Sequence, residues 1–244
     1  MSHLIDEAGS GRPVLVLHGG GGPRTVVPIT AHLAEYTHVL TPTLPGWNGA
    51  ERPAVLGAAS DYADLYLEYL HRRELRDVVV IGSSLGGWLA AEMAVRDRDE
   101  LLGAVVILDG AGIEVEGEPI TDFFSLDPRG VAEHSWHDPD KFFIDPATLT
   151  GDQIETQRAN MATMAAVFRD MFDPELRAQL PGVTIPTLVI WGDSDGIFTP
   201  GYGRAYAASF ANGRLELVAD AGHLPQLEQP QATLALIDAF LGHP

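Results

Sequence analysis

Short β-branched apolar runs alternate along this chain with stretches of helical spacing. The runs are Val14–Leu17, Val39–Thr41, Val78–Ile81, Ala104–Leu108, Thr187–Trp191 and Leu215–Val218. Several are apolar without alternation, the pattern of strands covered on both faces. Helical spacing is found around Val26–Ala34, Tyr62–Glu74, Leu85–Arg96, Gly203–Phe210 and Gln231–Leu241. In the second of these, Leu65, Tyr69 and Leu70 share a face, and Ser60 sits where an N-cap belongs. The alternation predicts an α/β fold, a mostly parallel, doubly wound sheet.

One stretch breaks the rhythm. From Gly112 to Pro181 there is no run of the same kind, but there are the pairs Phe123–Phe124 and Phe142–Phe143 and a helical segment. There Met161, Met164, Phe168, Met171 and Phe172 are spaced to share one face. About seventy residues inserted between two strands predict a helical cap, residues 112–181, over a core formed by 1–111 and 182–244. Packing against the body accounts for such a stripe, and part of it is also placed to line an apolar pocket.

Composition narrows the classes. The 244 residues suit one domain and carry no cysteine, which excludes disulfides, thiolate metal sites and a cysteine nucleophile. Acidic residues outnumber basic ones 34 to 15, a formal net charge of −19. A field of that sign disfavours nucleic acid and anionic membranes as partners. The start of the chain has Asp6 and Glu7 where a signal peptide carries positive charge, and no apolar run is long enough to span a bilayer. A cytoplasmic protein acting on a small molecule is the expectation.

Chemistry concentrates first at Gly82-Ser83-Ser84-Leu85-Gly86. Only Ser84 has glycine at both −2 and +2, the G-x-S-x-G spacing of a nucleophile on a tight strand-to-helix turn. A strand pattern lies directly before it and a helical one directly after, as such an elbow requires. A serine hydroxyl needs a base beside it. Among nine histidines, His223 stands out because Asp220-Ala221-Gly222-His223-Leu224-Pro225 forms a loop between the last strand and the last helix. His3 and His243 are terminal, and His71 sits in a helical charge run. His134 and His137 have i, i+3 spacing, but no third ligand motif accompanies them, so no metal is implied.

A third member, a carboxylate, must orient the imidazole. Asp193 and Asp195 follow one strand, and Asp109 ends another. Each opens onto the edge where open α/β sheets bind ligands. An acyl-transfer site also needs oxyanion donors. Leu85 N–H, at the start of the elbow helix, is one. The run His18-Gly19-Gly20-Gly21-Gly22 supplies the other, with Gly20 preferred over Gly21. That run has neither a following G-K-[ST] nor G-x-G-x-x-G spacing, so no nucleotide cofactor is expected.

Taken together, Leu15-Val16-Leu17-His18-Gly19-Gly20, Leu44-Pro45-Gly46-Trp47, the elbow, Trp191-Gly192-Asp193-Ser194-Asp195 and Gly222-His223-Leu224-Pro225 resemble the α/β-hydrolase superfamily. The resemblance implies a Ser84–His223–Asp195 triad, because the family acid falls three residues after the W-G glycine. It also implies that one or two strands usual at the N-terminus are absent here. The glycine run and the segment from Asp145 to Arg158 are similar to meta-cleavage-product hydrolases, in which a cap arginine near Arg158 binds substrate. Those enzymes commonly have tryptophan after the catalytic histidine, where this chain has Leu224. The expected function is a serine carboxylesterase acting on small neutral esters or lactones without cofactor or metal, with Phe123, Phe142, Arg158, Met164 and Phe168 as further candidate contacts. The alternatives are a C–C hydrolase using the same triad and a ligand-binding sensor that keeps an idle one.

Overall fold

The computed structural model describes residues 5–243; His3 therefore lies outside the described residues. Seven strands form one sheet: β1 (Ile5–Gly9), β2 (Pro13–Leu17), β3 (His38–Pro42), β4 (Val78–Ser83), β5 (Leu102–Leu108), β6 (Thr187–Gly192) and β7 (Gly213–Val218). Their order is β1-β3-β2-β4-β5-β6-β7. All neighbours pair in parallel except β1 with β3.

Strand periodicity assigns side chains to two faces. Leu15 and Leu17 of β2, Val78 and Val80 of β4, Val105 and Ile107 of β5, and Val189 and Trp191 of β6 join one buried cluster. The alternate residues Val14, Val16, Val79, Ile81, Val106, Leu188 and Ile190 join the other. Helix α1 (Val27–Leu33) covers the second face with Ile29 and Leu33. α2 (Ala59–Arg72) and α3 (Leu85–Arg96) cover the first. Between β5 and β6 come α4 (Pro128–Ser135), α5 (Pro139–Phe142), α6 (Gly151–Val167) and α7 (Leu176–Gln179). The chain then adds α8 (Pro200–Ser209), α9 (Pro225–Glu228) and α10 (Pro230–Leu241). None of the helices among the described residues is long and apolar enough to cross a membrane.

Three local expectations need correction. An N-terminal strand exists: β1 was hidden by its polar sequence Ile-Asp-Glu-Ala-Gly, because an edge strand needs no apolar face. It is fixed by Glu7, which accepts from Arg73 at 2.6 Å and His38 at 2.9 Å; the guanidinium holds the Glu7 carboxyl down to about 2. Helix α2 begins before Ser60. The Asp61 carboxylate, accepting from the N–H groups of Gly57 and Ala58 at 2.8 and 2.9 Å, secures its first turn.

The Met/Phe stripe also divides. α6 ends at Val167 and the chain turns at Met171 (φ 58°), so Met171 and Phe172 are not on the helix. Met161 is 38% exposed. The residues that seat α6 are Asn160, Thr163 and Met164. Asn160 exchanges hydrogen bonds with Asn48, at 2.9 Å to its N–H and 3.1 Å between the side chains, and the Thr163 hydroxyl donates to Gly46 O at 3.0 Å.

Candidate active site

The site stands where β4 turns into α3. Ser84 has φ 56° and ψ −116°, a conformation that costs a non-glycine residue about 1–3 kcal/mol and persists only where surroundings enforce it. Here enforcement is steric. A Cβ on Gly82 would come within 2.0 Å of Gly86 O, and one on Gly86 within 2.1 Å of Leu17 O. The two glycines therefore let α3 fold back against β4 and β2, which lifts Ser84 above the sheet edge. Ser83 faces elsewhere: its Oγ accepts from Gln226 Nε2 at 3.0 Å.

Two loops meet Ser84. After β6, Asp195 accepts the N–H groups of Ile197 (2.7 Å) and Phe198 (3.2 Å) on Oδ1. Its Oδ2 lies 2.9 Å from His223 Nδ1. After β7, His223 places Nε2 2.9 Å from Ser84 Oγ. A carboxylate at Nδ1 fixes that nitrogen as the donor and leaves Nε2 free to accept from the serine hydroxyl. Ser84, Asp195 and His223 are all buried, and Phe198 packs its ring 5.5 Å from the imidazole centroid. Such a chain can remove the serine proton, hold the positive imidazolium and return the proton to a leaving group.

Both loops are braced by the segment after β5. The last carbonyls of α4, orphaned as at any helix end, accept from them: His134 O from Gly196 N–H (2.9 Å) and Ser135 O from His223 N–H (2.7 Å). Glu228 on α9 accepts from Gly222 N–H at 2.5 Å and from His137 N–H at 2.9 Å. The His134 ring bonds its own helix at Gly130 O, and His137 Nδ1 meets Ser194 Oγ. The spacing of these two histidines thus serves separate contacts. Among the described residues, the group with ligand-like spacing is Asp109, Asp195 and His223, within 4.8 Å of one another. The Asp195 and His223 atoms of that group are already committed to the serine chain.

The glycine run lies on the opposite side of Ser84. His18 is fully buried and neutral: burial lowers its imidazole to about 4. Nδ1 donates to Gly19 O at 2.7 Å, and Nε2 accepts from Leu44 N–H at 3.0 Å. Gly22 N–H also donates to Gly19 O at 3.1 Å, and Trp47 Nε1 donates to Gly20 O at 2.9 Å. Because N–H and C=O point oppositely across a trans peptide, holding Gly19 O also fixes the direction of Gly20 N–H. Gly19, not singled out from sequence, is the glycine pressed against Ser84. A Cβ there would lie 2.9 Å from Ser84 Cβ. Gly21 is exposed at the rim.

The five further candidates disperse. Met164 reaches the site, with its side chain 3.5–3.7 Å from where a Gly20 Cβ would sit. Phe168 is core, with ring centroids 5.4 Å from Tyr62, 5.7 Å from Trp88 and 6.1 Å from Trp47. Phe142 stacks on Trp136 at 5.1 Å. Phe123 stacks on Phe124 at 4.4 Å and lines a separate groove of about 400 Å³ with Glu118, Arg169 and Phe172. Arg158 is exposed on α6. The five share no lining: Arg158 and Met164 occupy different faces of α6, one exposed and one buried, and Phe123 and Phe142 belong to separate short elements before it. The bracing carbonyls carried no recognisable signal, since a backbone acceptor has no residue type, and the contacts of the Gln226 and Glu228 side chains were not legible from the stretch after His223.

Comparison with known proteins adds the ancestry. The model of the Alpha/beta hydrolase family matches residues 14–236. The chain is 25% identical over 269 residues to a 2-hydroxy-6-oxononadienedioate/2-hydroxy-6-oxononatrienedioate hydrolase of Cupriavidus pinatubonensis, covering 99% of this chain and 90% of that protein. In structure it is similar to a thermophilic esterase from Thermogutta terrifontis, with TM-score 0.77, 23% identity, and 97% and 92% of the two chains covered. It is also similar to a meta-cleavage product hydrolase from Pseudomonas fluorescens, with TM-score 0.79, 18% identity, and 98% and 93% covered. At these identities the structural likenesses show the fold.

Proposed function

This chain belongs to the alpha/beta hydrolase family, and we propose that it is a serine hydrolase that cleaves small neutral esters or lactones through an acyl-enzyme. The observation that carries the reading is the hydrogen-bonded chain from Ser84 Oγ through His223 to Asp195, with both links at 2.9 Å. Ser84 Oγ attacks the carbonyl carbon as His223 Nε2 takes its proton, and Asp195 stabilises the imidazolium. The N–H groups of Leu85 and Gly20 hold the oxyanion. Collapse of the tetrahedral adduct expels the alcohol, which receives the proton from His223. Water, deprotonated by the same nitrogen, then attacks the acyl-enzyme and releases the acid and Ser84. In this reading the segment between β5 and β6, residues 112–181, is a cap over the serine.

The neutral-ester preference is supported by what that segment brings near Ser84. Met164 lies against Gly20, whereas Arg158 faces outward. A carboxylate in a low-dielectric site needs a charged donor. A second reading, cleavage of a C–C bond in a dienoate, is favoured by the similarity to the Cupriavidus pinatubonensis enzyme. The deciding experiment is kcat/KM for neutral p-nitrophenyl esters and lactones against a carboxylate-bearing C–C substrate on one sample, repeated with Arg158→Ala. Preference for the neutral compounds, unaffected by the substitution, is expected. Preference for the dienoate would make the C–C hydrolase the correct reading, and binding without turnover of any substrate would make it a sensor.

A further inference from the structure

Asp109, at the end of β5, is a fully buried acid that the mechanism above does not use. Its Oδ1 accepts Gly192 N–H at 2.9 Å, and its Oδ2 is buried with no conventional partner. Asp195 faces it from the loop after β6, with carboxylate oxygens of the two within 4.8 Å of each other. His223 faces it from the loop after β7, and Glu228 adds negative charge from α9. Two carboxylates this close, removed from water, cannot both stay ionised. They are not equal competitors for a proton. Asp195 is served by three donors, from Ile197, Phe198 and His223, while Asp109 has one. A proton on Asp109 Oδ2 is what gives that orphaned atom a partner, as a donor to Asp195.

We propose that Asp109 is a neutral acid that donates its proton to Asp195, so that the two carboxyls carry one negative charge and Asp109 acts as a positioning residue for the triad. Burial and the neighbouring Asp195 push its carboxyl well above the usual range, in the same direction. The pair then opposes a single imidazolium with a single negative charge, and Asp195 is held from a third side. The inference rests on the triad reading for its kinetic consequence but not for its protonation.

The test separates the two. Asparagine at 109 keeps both contacts, an oxygen for Gly192 N–H and an N–H for Asp195; leucine keeps neither. Asp109→Leu is expected to lower kcat/KM about tenfold or more, and Asp109→Asn to restore most of that loss, one donor replacing another. The pH at which kcat/KM falls on the acid side should stay in place in Asp109→Asn, because no charge has been removed. A downward displacement there would mean that an ionised Asp109 had been lost, and would overturn the proposal. Melting temperature provides a readout independent of catalysis. Unfolded Asp109 ionises above the ordinary carboxylate range while the folded group keeps its proton, so the wild type loses stability as pH rises through that window. The melting temperature of Asp109→Asn should therefore gain on that of wild type as pH rises from about 4. A gap that stays constant or reverses as pH rises would show that the native group is charged. Should Ser84 prove unreactive towards a fluorophosphonate, the triad reading fails while the melting comparison still decides the protonation.

Discussion

The carboxyl edge of the sheet and the segment between β5 and β6 meet at Ser84, yet they are specified in different ways. At the edge, the main chain is packed against itself and against the Cβ of Ser84. Gly19, Gly82 and Gly86 each sit where a single added carbon would strike a neighbour at 2.0–2.9 Å, and Ser84 is forced to positive φ. Such constraints admit one residue type and leave a mark in local sequence. In the intervening segment the contacts are made by helix-terminal carbonyls, amide pairs and apolar side chains, which many sequences satisfy. The brace from α4 depends on His134 and Ser135 only through their main chain. The edge therefore has a motif, and the segment that holds its loops in register has none.

Substitutions can break this contrast. The largest effect is expected at the edge: Ser84→Ala should abolish fluorophosphonate labelling and lower turnover by about 10⁴ or more, while Ser83→Ala remains labelled. A peptide map with the label on Ser83 would remove the elbow assignment. Asp195→Asn comes next, with a loss of about 10³–10⁴ in kcat, since the imidazole loses the group that fixes its tautomer. An equal or greater loss in Asp109→Asn would move the acid to β5.

The following two predictions concern stability. Phe168→Ala should cost about 3–5 kcal/mol in a urea titration, the cost of a cavity among Trp47, Tyr62 and Trp88. A loss under about 1 kcal/mol, with KM raised instead, would return Phe168 to the substrate pocket. His18 gives the pH dependence its sign. The unfolded imidazole titrates near 6.5 and the folded one near 4, so the contribution is complete above 6.5 and lost as pH falls towards 4. At 1.36 kcal/mol per unit this amounts to about 3 kcal/mol. The stability of His18→Gln should fall less than that of wild type between about pH 7 and pH 4. Parallel curves would show that His18 is not buried neutral. The smallest effect is expected from Arg158→Ala, within about twofold in kcat/KM for a neutral ester, as for an exposed charge.

The elements were legible where burial and chain period agree. Runs such as Val78–Ile81 and Ala104–Leu108 announced β4 and β5, and Leu85–Arg96 coincides with α3 at both ends. β1 escaped because an edge strand carrying Asp6 and Glu7 has no apolar period to read. α6 was overextended for the converse reason: Met171 and Phe172 continue the spacing after the helix has stopped. Apolar spacing reports that residues are buried, not that one helix buries them.

The candidate site divides along the same line. Sequence alone determined the elbow, because G-x-S-x-G is written by sterics within five residues, and it narrowed the base to the loop of His223. The residue pattern by itself left Asp193, Asp195 and Asp109 as three candidate acids, since each follows a strand, and it was the family resemblance that pointed to Asp195. The tertiary structure separates them by distance: Asp195 Oδ2 lies 2.9 Å from His223 Nδ1, Asp193 is exposed, and Asp109 is buried with a bare oxygen. It also decided that Met164 alone of the five further candidates lies beside the glycine run. Residues 28 positions apart, such as Asp195 and His223, become neighbours only when β6 and β7 pair in register, and no local pattern encodes that pairing.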